Sequence, residues 1–169
     1  MKIIFIMINI YIISFANIFD ITNLQANFTQ TIKNNSSSII SYKGTITFNK
    51  NNILWHYNEP EKNVYISSSR IIIDEPELEQ AIISNINEEL NLISMLKESK
   101  KINNTTYENT LNNIVYTIKI YKNKLQAIFY TDELGNKVSI IFTNVKININ
   151  IDNSIFIFNA PSHYDIIRK

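Results

Sequence analysis

The sequence predicts a mainly β, α+β protein: a curved antiparallel sheet or barrel with helices packed against its concave side. Three observations predict this fold. From Ser38 onward apolar residues recur at every second position, the strand candidates are short and regularly spaced, and one mid-chain segment has helical character instead. The chain has 169 residues, which suits one domain with one core. We find no internal repeat and no low-complexity linker, so one domain over residues 17–169 is expected.

The first 16 residues have the order of a cleaved secretory signal peptide. Lys2 is followed by an apolar run, and Ser14 and Ala16 supply the small residues that signal peptidase requires. The run is shorter than the roughly 20 residues of a membrane-spanning helix. An uncleaved anchor and a buried N-terminal strand are the alternatives. The chain has no cysteine, so disulfides cannot stabilise it after export and a hydrophobic core must do so.

The first predicted element is a short helix. Asp20 can cap it, and Ile21, Leu24, Phe28 and Ile32 follow at spacings of three and four, which places them on one helical face. Residues 33–38 then form the loop to the first strand.

The following segments predict strands. Ile46 and Phe48 alternate with threonines, and Ile53, Trp55 and Tyr57 alternate in the next segment. A hairpin is expected to turn near residues 122–123, and the segment DELGN predicts a turn before another strand. Asn tolerates positive φ, so Asn should build turns in a chain with two glycines. The remaining strand candidates are NVYISSS, RIIID, KVSIIFTNV, SIFIF and YDIIRK.

Residues 85–101 interrupt the strands with a predicted helix. Acidic residues lie at its start and lysines at its end, as the helix dipole prefers, and Asn85 and Glu88 have capping-box spacing. Leu92, Met95 and Leu96 crowd its apolar side.

The sequence contains no recognisable catalytic or metal-binding arrangement. His56 is expected to be an outward-facing strand residue, His163 with Asp165 is too few ligands for a metal site, and Glu75, Glu77 and Glu79 indicate a solvated turn. We therefore expect neither an enzyme nor a cofactor or metal. A net charge of +1 argues against nucleic-acid binding. The alternating apolar residues can fill an ordinary core or line a cavity, and periodicity does not separate the two.

Several motifs resemble the LolA family of periplasmic lipoprotein carriers. They include LQANFTQ, a Trp-x-Tyr-x-x-Pro segment and a Pro-x-x-x-Gln segment, and their order along the chain is that of the family. All three prolines and both glycines fall on family positions. The matching residues are Phe28, Gln30, Gly44, Trp55, Tyr57, Pro60, Pro76, Gln80, Asp132, Gly135, Phe156, Phe158, Pro161 and Asp165-Ile166-Ile167.

The resemblance implies an incomplete antiparallel barrel, or half-barrel, of about eleven strands with helices over its apolar concave side. The implied cavity shelters acyl chains, and a lid helix closes over it. In place of a family Arg that contacts the lid, this sequence offers Lys50, which cannot form the forked contacts of a guanidinium. The expected cavity residues are Ile46, Phe48, Trp55, Tyr57, Ile66, Leu92, Met95, Leu96, Ile118, Phe129, Phe156 and Phe158.

The implied function is that of a monomeric periplasmic carrier without chemistry of its own. It would take acylated lipoproteins from an inner-membrane LolCDE-type transporter and pass them to a LolB-like acceptor at the outer membrane. LolB itself needs a Cys after its signal, and this chain has none, which favours the soluble carrier. The alternatives are a carrier of another lipid or glycolipid, and an envelope sensor or scaffold that uses the half-barrel for protein contacts.

Overall fold

The computed structural model describes residues 21–49, 51–85 and 98–169, in which twelve β-strands form a single sheet. The expected signal peptide at residues 1–16 and residues 86–97 of the predicted mid-chain helix lie outside these residues. The predicted ends of that helix are wrong, because Asn85 and Lys100–Lys101 are strand residues. The strands are β1 Leu24–Lys33, β2 Ile39–Phe48, β3 Ile53–Tyr57, β4 Lys62–Ile66, β5 Arg70–Glu75, β6 Gln80–Asn85, β7 Lys100–Lys101, β8 Thr106–Leu111, β9 Ile114–Tyr121, β10 Lys124–Thr131, β11 Lys137–Ile147 and β12 Asp165–Arg168.

The order of strands in the sheet is β12-β6-β5-β4-β3-β2-β1-β11-β10-β9-β8-β7. Two runs of antiparallel neighbours, β2–β6 and β7–β11, are joined through β1, which pairs with both β2 and β11. The C-terminal β12 pairs in parallel with β6 at the opposite edge from β7. The sheet is mainly antiparallel and open, as the sequence predicted.

The predicted N-terminal helix is wrong, because β1 is a strand. Leu24, Phe28 and Ile32 are four residues apart, and a spacing of four satisfies both the helical period and the strand period of two. The burial of Ala26 decides between the two periods. Leu24, Ala26 and Phe28 are buried while Gln25 and Asn27 between them are exposed, which is strand alternation.

The predicted strand SIFIF is also wrong. Residues Asn153–Phe156 form a 3-10 helix, and the Asp152 carboxylate accepts a hydrogen bond from the backbone N–H of Ser154 at 2.9 Å. A capping Asp before a short apolar run favours a helical turn, and this signal outweighs the alternation. The helix belongs to residues 148–164, which link β11 to β12 and which we call the outer strap.

The turns are built largely with asparagine, as the sequence predicted. Asn112 and Asn113 join β8 to β9, Lys122 and Asn123 join β9 to β10, and all four have positive φ. Two positive-φ residues in a two-residue loop are the signature of the type I′ hairpin turn. Gly135 has φ of 80° in the β10–β11 turn, and Pro76–Leu78 forms a 3-10 turn between β5 and β6.

The two faces of the sheet differ in their burial. Paired residues on adjacent strands share a face, and successive residues alternate between faces. The inner face carries the buried cluster, and we call the opposite one the outer face. The cluster is formed by Leu24, Ala26, Phe28, Ile46, Phe48, Ile53, Tyr107, Ile118, Ile120, Leu125, Ile128, Val138, Ile140, Phe142 and Val145.

The inner face is concave. Trp55 on β3 and Phe142 on β11 are separated by β2 and β1 in the sheet, which in a flat sheet would place them about 14 Å apart. Their ring centroids lie 6.3 Å apart. The sheet therefore curls toward this side, and large side chains span the remaining distance.

The helices that we expected on the concave side are not found in the described part of the chain. Apart from 3-10 turns, residues 21–49, 51–85 and 98–169 contain no helix. One expected helix is the strand β1, and Leu92, Met95 and Leu96 of the other lie outside these residues.

Candidate functional site

The candidate site is an apolar stripe on the inner face of β3–β6 and β12. Register places Trp55, Val64, Ile73, Ile82 and Ile167 in one row across five strands. The first four are half-buried, and Ile167 is exposed. The next row contains Ile66 and Ile71, also half-buried. The stripe lies beside the buried cluster on the same face, but none of its residues is fully buried.

The outer face of the same strands is also apolar, and the outer strap covers it. Leu54, Tyr65, Ile72 and Ile83 form a row across β3–β6. The Phe158 ring of the strap lies 5.6 Å from the Tyr65 ring. Strands that are apolar on both faces are typical of sheets covered on both sides.

An aromatic group joins the stripe to the buried cluster. Phe28 makes edge-to-face contacts with Trp55 and Tyr57, with ring centroids 5.0 and 5.1 Å apart. Gly44 permits this arrangement. A Cβ at Gly44 would overlap the backbone carbonyl of His56 and come within 2.9 Å of the Phe28 ring. The glycine therefore lets the aromatic rings pack directly on the strand backbone.

Tyr57 gives the aromatic group a polar end. Its hydroxyl donates a hydrogen bond to Gln30 Oε1 at 3.2 Å, and the Lys62 ammonium lies 4.7 Å from its ring centroid. Burial, followed by the nearby Tyr130 and Tyr42, raises the pKa of Tyr57 to about 12. The phenol therefore stays neutral, as a group beside an apolar surface should.

The structure brings together some of the residues predicted to line the cavity. Trp55, Tyr57 and Ile66 lie half-buried on the inner face at the edge of the cluster. Ile46, Phe48 and Ile118 are on the same face but are between 0% and 1% exposed, so they belong to the packed core.

Other predicted residues lie elsewhere. Phe129 is on the outer face, because its neighbour Ile128 points to the core and strand residues alternate. Phe156 and Phe158 belong to the outer strap, where both line a groove of about 410 Å³ with Tyr65 and Ile72. Lys50, Leu92, Met95 and Leu96 lie outside the described residues.

The sequence did not reveal Val64, Ile71, Ile73 and Ile82 as site residues. Their segments are apolar at nearly every position, so alternation gave no means of choosing a face. The pairing of β3 with β4 and β5 supplies that choice, because it fixes which residues continue the row from Trp55.

The outer face of β3–β5 also carries a polar row, next to the apolar row of Leu54, Tyr65 and Ile72. His56 Nδ1 lies 2.8 Å from Asn63 Oδ1, and Asn63 Nδ2 donates to Asp74 Oδ2 at 3.0 Å. His56 thus faces outward as expected, although it has a partner that the sequence did not reveal. In the part of the chain that the structure describes, no three His, Cys, Asp or Glu side chains converge as metal ligands. Among the same residues, no helix has the length and apolar character needed to span a membrane.

The comparisons with known proteins agree over most of the chain. The family model described as outer membrane lipoprotein carrier protein LolA matches residues 20–159. The outer-membrane lipoprotein carrier protein of Wolinella succinogenes is 34% identical over 152 residues, covering 88% of each chain. The protein of the same name from Campylobacter jejuni is 34% identical over 155 residues and 91% of each chain.

Solved structures show the same fold at low identity. A LolA superfamily protein from Nitrosomonas europaea superposes with a TM-score of 0.50 at 12% identity, over 83% of this chain and 92% of its own. An uncharacterized conserved protein from Thermus thermophilus superposes with a TM-score of 0.55 at 10% identity, over 88% of this chain and 91% of its own.

Proposed function

The chain belongs to the LolA family, and from that membership we propose that it is a periplasmic lipoprotein carrier. It would bind the acyl chains of lipoproteins on the concave inner face and carry them from the inner to the outer membrane. Export would remove residues 1–16, and the remaining domain would act as a monomer without a cofactor.

The observation that carries the proposal is the half-buried apolar stripe. A polar face would be expected wherever a sheet meets water, and a sealed core wherever it packs permanently. The row from Trp55 through Val64, Ile73 and Ile82 fits neither expectation. An apolar surface beside a packed core suits reversible binding of an apolar ligand.

The energetics of acyl chains require such a surface. Removing one methylene from water is favourable by about 0.8 kcal/mol, so the free energy of burying an acyl chain of about sixteen carbons is about 12 kcal/mol. Release into water would be correspondingly slow, and transfer must run from one apolar surface to the next. A LolCDE-type transporter as donor and a LolB-like protein as acceptor are the partners that this route requires.

A matched pair of variants on β5 tests the site. Ile72 and Ile73 are adjacent, both half-buried, and on opposite faces. Ile73→Ser should lower affinity for a fluorescent acyl probe or synthetic lipopeptide about tenfold, because it places a hydroxyl in the stripe. Ile72→Ser makes the same chemical change under the outer strap and should leave affinity unchanged. Equal losses from both variants, with the fold intact by circular dichroism, would argue against an inner-face site.

The cargo can be identified by mass spectrometry of molecules that copurify with the periplasmic protein. Triacylated lipoproteins would support the proposal. Free glycolipid would indicate a different cargo for the same surface, and a stoichiometric protein partner without lipid would indicate a scaffold.

A further inference from the structure

Two lysines oppose each other directly at one end of the outer face. Lys33 at the end of β1 pairs in register with Lys137 at the start of β11, and both are exposed. Like charges directly opposite on neighbouring strands destabilise a sheet. Within the described residues neither lysine has an ion-pair partner. A local arrangement that opposes folding indicates a role outside folding.

Exposed apolar side chains surround the lysine pair. Val115 and Phe129 line a groove of about 510 Å³ together with both lysines. Ile39 pairs with Lys33 on β2, and Leu134 lies in the β10–β11 turn. Leu134 is 80% exposed and Ile39 is 64% exposed. We call Lys33, Lys137, Ile39, Val115, Phe129 and Leu134 the basic corner.

Register places the strand residues of the corner on the outer face, away from the stripe. Phe129 pairs with Ser139, and Ser139 pairs with Thr31, two residues before Lys33. Ile128, which precedes Phe129, points to the buried cluster. The corner and the candidate acyl site therefore lie on opposite sides of one sheet.

Two carboxylates, those of Asp132 and Glu133, lie in the β10–β11 turn next to Leu134 of the corner. The Asp132 carboxylate accepts hydrogen bonds from the backbone N–H groups of Leu134 and Asn136, at 3.0 and 2.8 Å. The pKa of Tyr116 is raised by burial and then by Glu133, and that of Tyr130 by burial, Tyr116 and then Asp132. Both tyrosines pack against the inner-face cluster. The Asp132 carboxylate is therefore held by hydrogen bonds within the β10–β11 turn, and the outer-face Glu108, which pairs with Thr117, also pairs in register with Lys100 on β7.

We propose that the basic corner docks on an anionic phospholipid surface. Lipid phosphates would lie between the Lys33 and Lys137 ammonium groups, while Phe129, Val115 and Leu134 enter the boundary between headgroups and acyl chains. Long lysine stems reach a headgroup layer while apolar neighbours go deeper. Binding of this kind gains from both apolar area and charge.

A lipid surface fits the corner better than an extended peptide does. A peptide strand needs a free sheet edge to pair with, and β1, β10 and β11 each have a neighbour on both sides. Exposed apolar side chains next to two lysine ammonium groups match a membrane boundary instead, where charged headgroups lie above acyl chains.

Vesicle co-sedimentation tests the proposal with the exported protein. Phosphatidylethanolamine vesicles containing phosphatidylglycerol should bind it, more weakly as salt rises, and phosphatidylcholine vesicles should not. The double variant Lys33→Gln/Lys137→Gln should lower binding about 30-fold at low salt, which corresponds to about fivefold per lysine. Adding Phe129→Ser to this double variant should lower vesicle binding further. Because the double variant removes a repulsion, its urea midpoint should equal or exceed that of the wild type.

The matched control is Arg168→Gln/Lys169→Gln, which removes the same charge near β12, an edge strand that is distant from the corner in the sheet order. It should bind anionic vesicles like the wild type. Absent binding to anionic vesicles, or equal loss from the control, would overturn the proposal. The lysine variant should keep its affinity for an acyl probe. A wild-type protein that binds anionic vesicles but no acyl probe would count against the carrier function and leave the docking surface standing.

Discussion

At the residue scale, substitution of Trp55 tests whether this part of the inner face is a packed core or a ligand-binding surface. It contacts Phe28 edge to face and yet remains half-buried. Trp55→Ala should therefore cost less than the roughly 3–5 kcal/mol of a fully buried aromatic residue, while affinity for an acyl probe falls. Urea unfolding followed by circular dichroism measures the first quantity, and probe titration measures the second.

Ile53→Ala is the control for Trp55→Ala. Ile53 lies on the same face of β3 and is 3% exposed, so its loss should cost about 2–5 kcal/mol with little effect on the probe. Trp55 is also the only tryptophan, and its emission should shift when a lipopeptide binds. Unchanged emission at saturation would remove Trp55 from the site.

Tyr57 predicts a dependence of stability on alkaline pH. Its pKa is raised from 10.0 to about 12, first by burial and then by Tyr130 and Tyr42. The folded state thus holds the phenolic proton more tightly than the unfolded state does. This contribution to stability is complete below pH 10 and is lost as pH rises through about 12.

The substitution Tyr57→Phe keeps the ring and removes the titrating group, so it should flatten the loss of stability over that range. Urea midpoints measured across alkaline pH provide the test. Tyr121→Phe changes a tyrosine that is 56% exposed and should retain the wild-type profile. A Tyr57→Phe profile that matches the wild type would show that the phenol does not contribute.

At the scale of elements, the sequence predicted strands well where two signals agreed. Alternation and turn chemistry together placed β2, β3 and the β9–β10 hairpin, including its turn at Lys122 and Asn123. The prediction was wrong where a single spacing pattern is compatible with both a helix and a strand. The spacing of Leu24, Phe28 and Ile32 fits a helix and a strand equally, and only partners distant in sequence, β2 and β11, select the strand.

The candidate site was less predictable than the fold for a related reason. Trp55, Tyr57 and Ile66 were identified, but the remainder of the stripe comes from β4–β6, whose segments are apolar at nearly every position. Which of Ile72 and Ile73 faces inward depends on a one-residue choice of register. That choice is made by pairing between strands, which a single sequence does not display.

The aromatic contact between Phe158 and Tyr65 is expected to hold the outer strap on the sheet, together with hydrogen bonds such as that from Asn49 Nδ2 to Asn153 Oδ1 at 2.8 Å. Phe158→Ala removes the ring beside Tyr65 and should cost about 1–2 kcal/mol, less than a fully buried ring because Phe158 is half-buried. Limited proteolysis should then cut within residues 148–164 sooner than in the wild type. Ile157→Ala changes the adjacent side chain, which is 61% exposed, and should leave the cleavage rate unchanged. Equal rates for both variants would mean that other contacts hold the strap.

At the scale of the whole molecule, both faces of the sheet bear apolar surface in separate places. The outer strap covers the outer face of β3–β6, and the stripe lies behind it on the inner face. The basic corner lies on the outer face where β1 ends and β11 begins. Under the two proposals, one sheet would receive an acyl chain on its inner side while its outer side docks on a lipid surface.

Export of the chain gives a prediction for the whole molecule. The order of Lys2, an apolar run and Ser14-Phe15-Ala16 predicts cleavage after Ala16. Intact-mass measurement of periplasmic protein should give the mass of residues 17–169. A mass that retains Met1 would contradict the signal peptide, and retention in the membrane fraction would support the uncleaved anchor.

The central position of β1 has a consequence for folding kinetics. Hairpins within β2–β6 and β7–β11 form between neighbours in sequence, whereas β1 must pair with β11, in which Lys33 meets Lys137 and Leu24 meets Ile147. Contacts so distant in sequence carry a large loop-closure cost and slow folding. If the chain is exported as the signal peptide predicts, β1 would emerge first and would keep one edge unpaired until β11 has crossed the membrane. In that interval the nascent chain exposes an unpaired strand edge, the usual starting point for aggregation, so β1 is the segment that a periplasmic holdase would most need to protect.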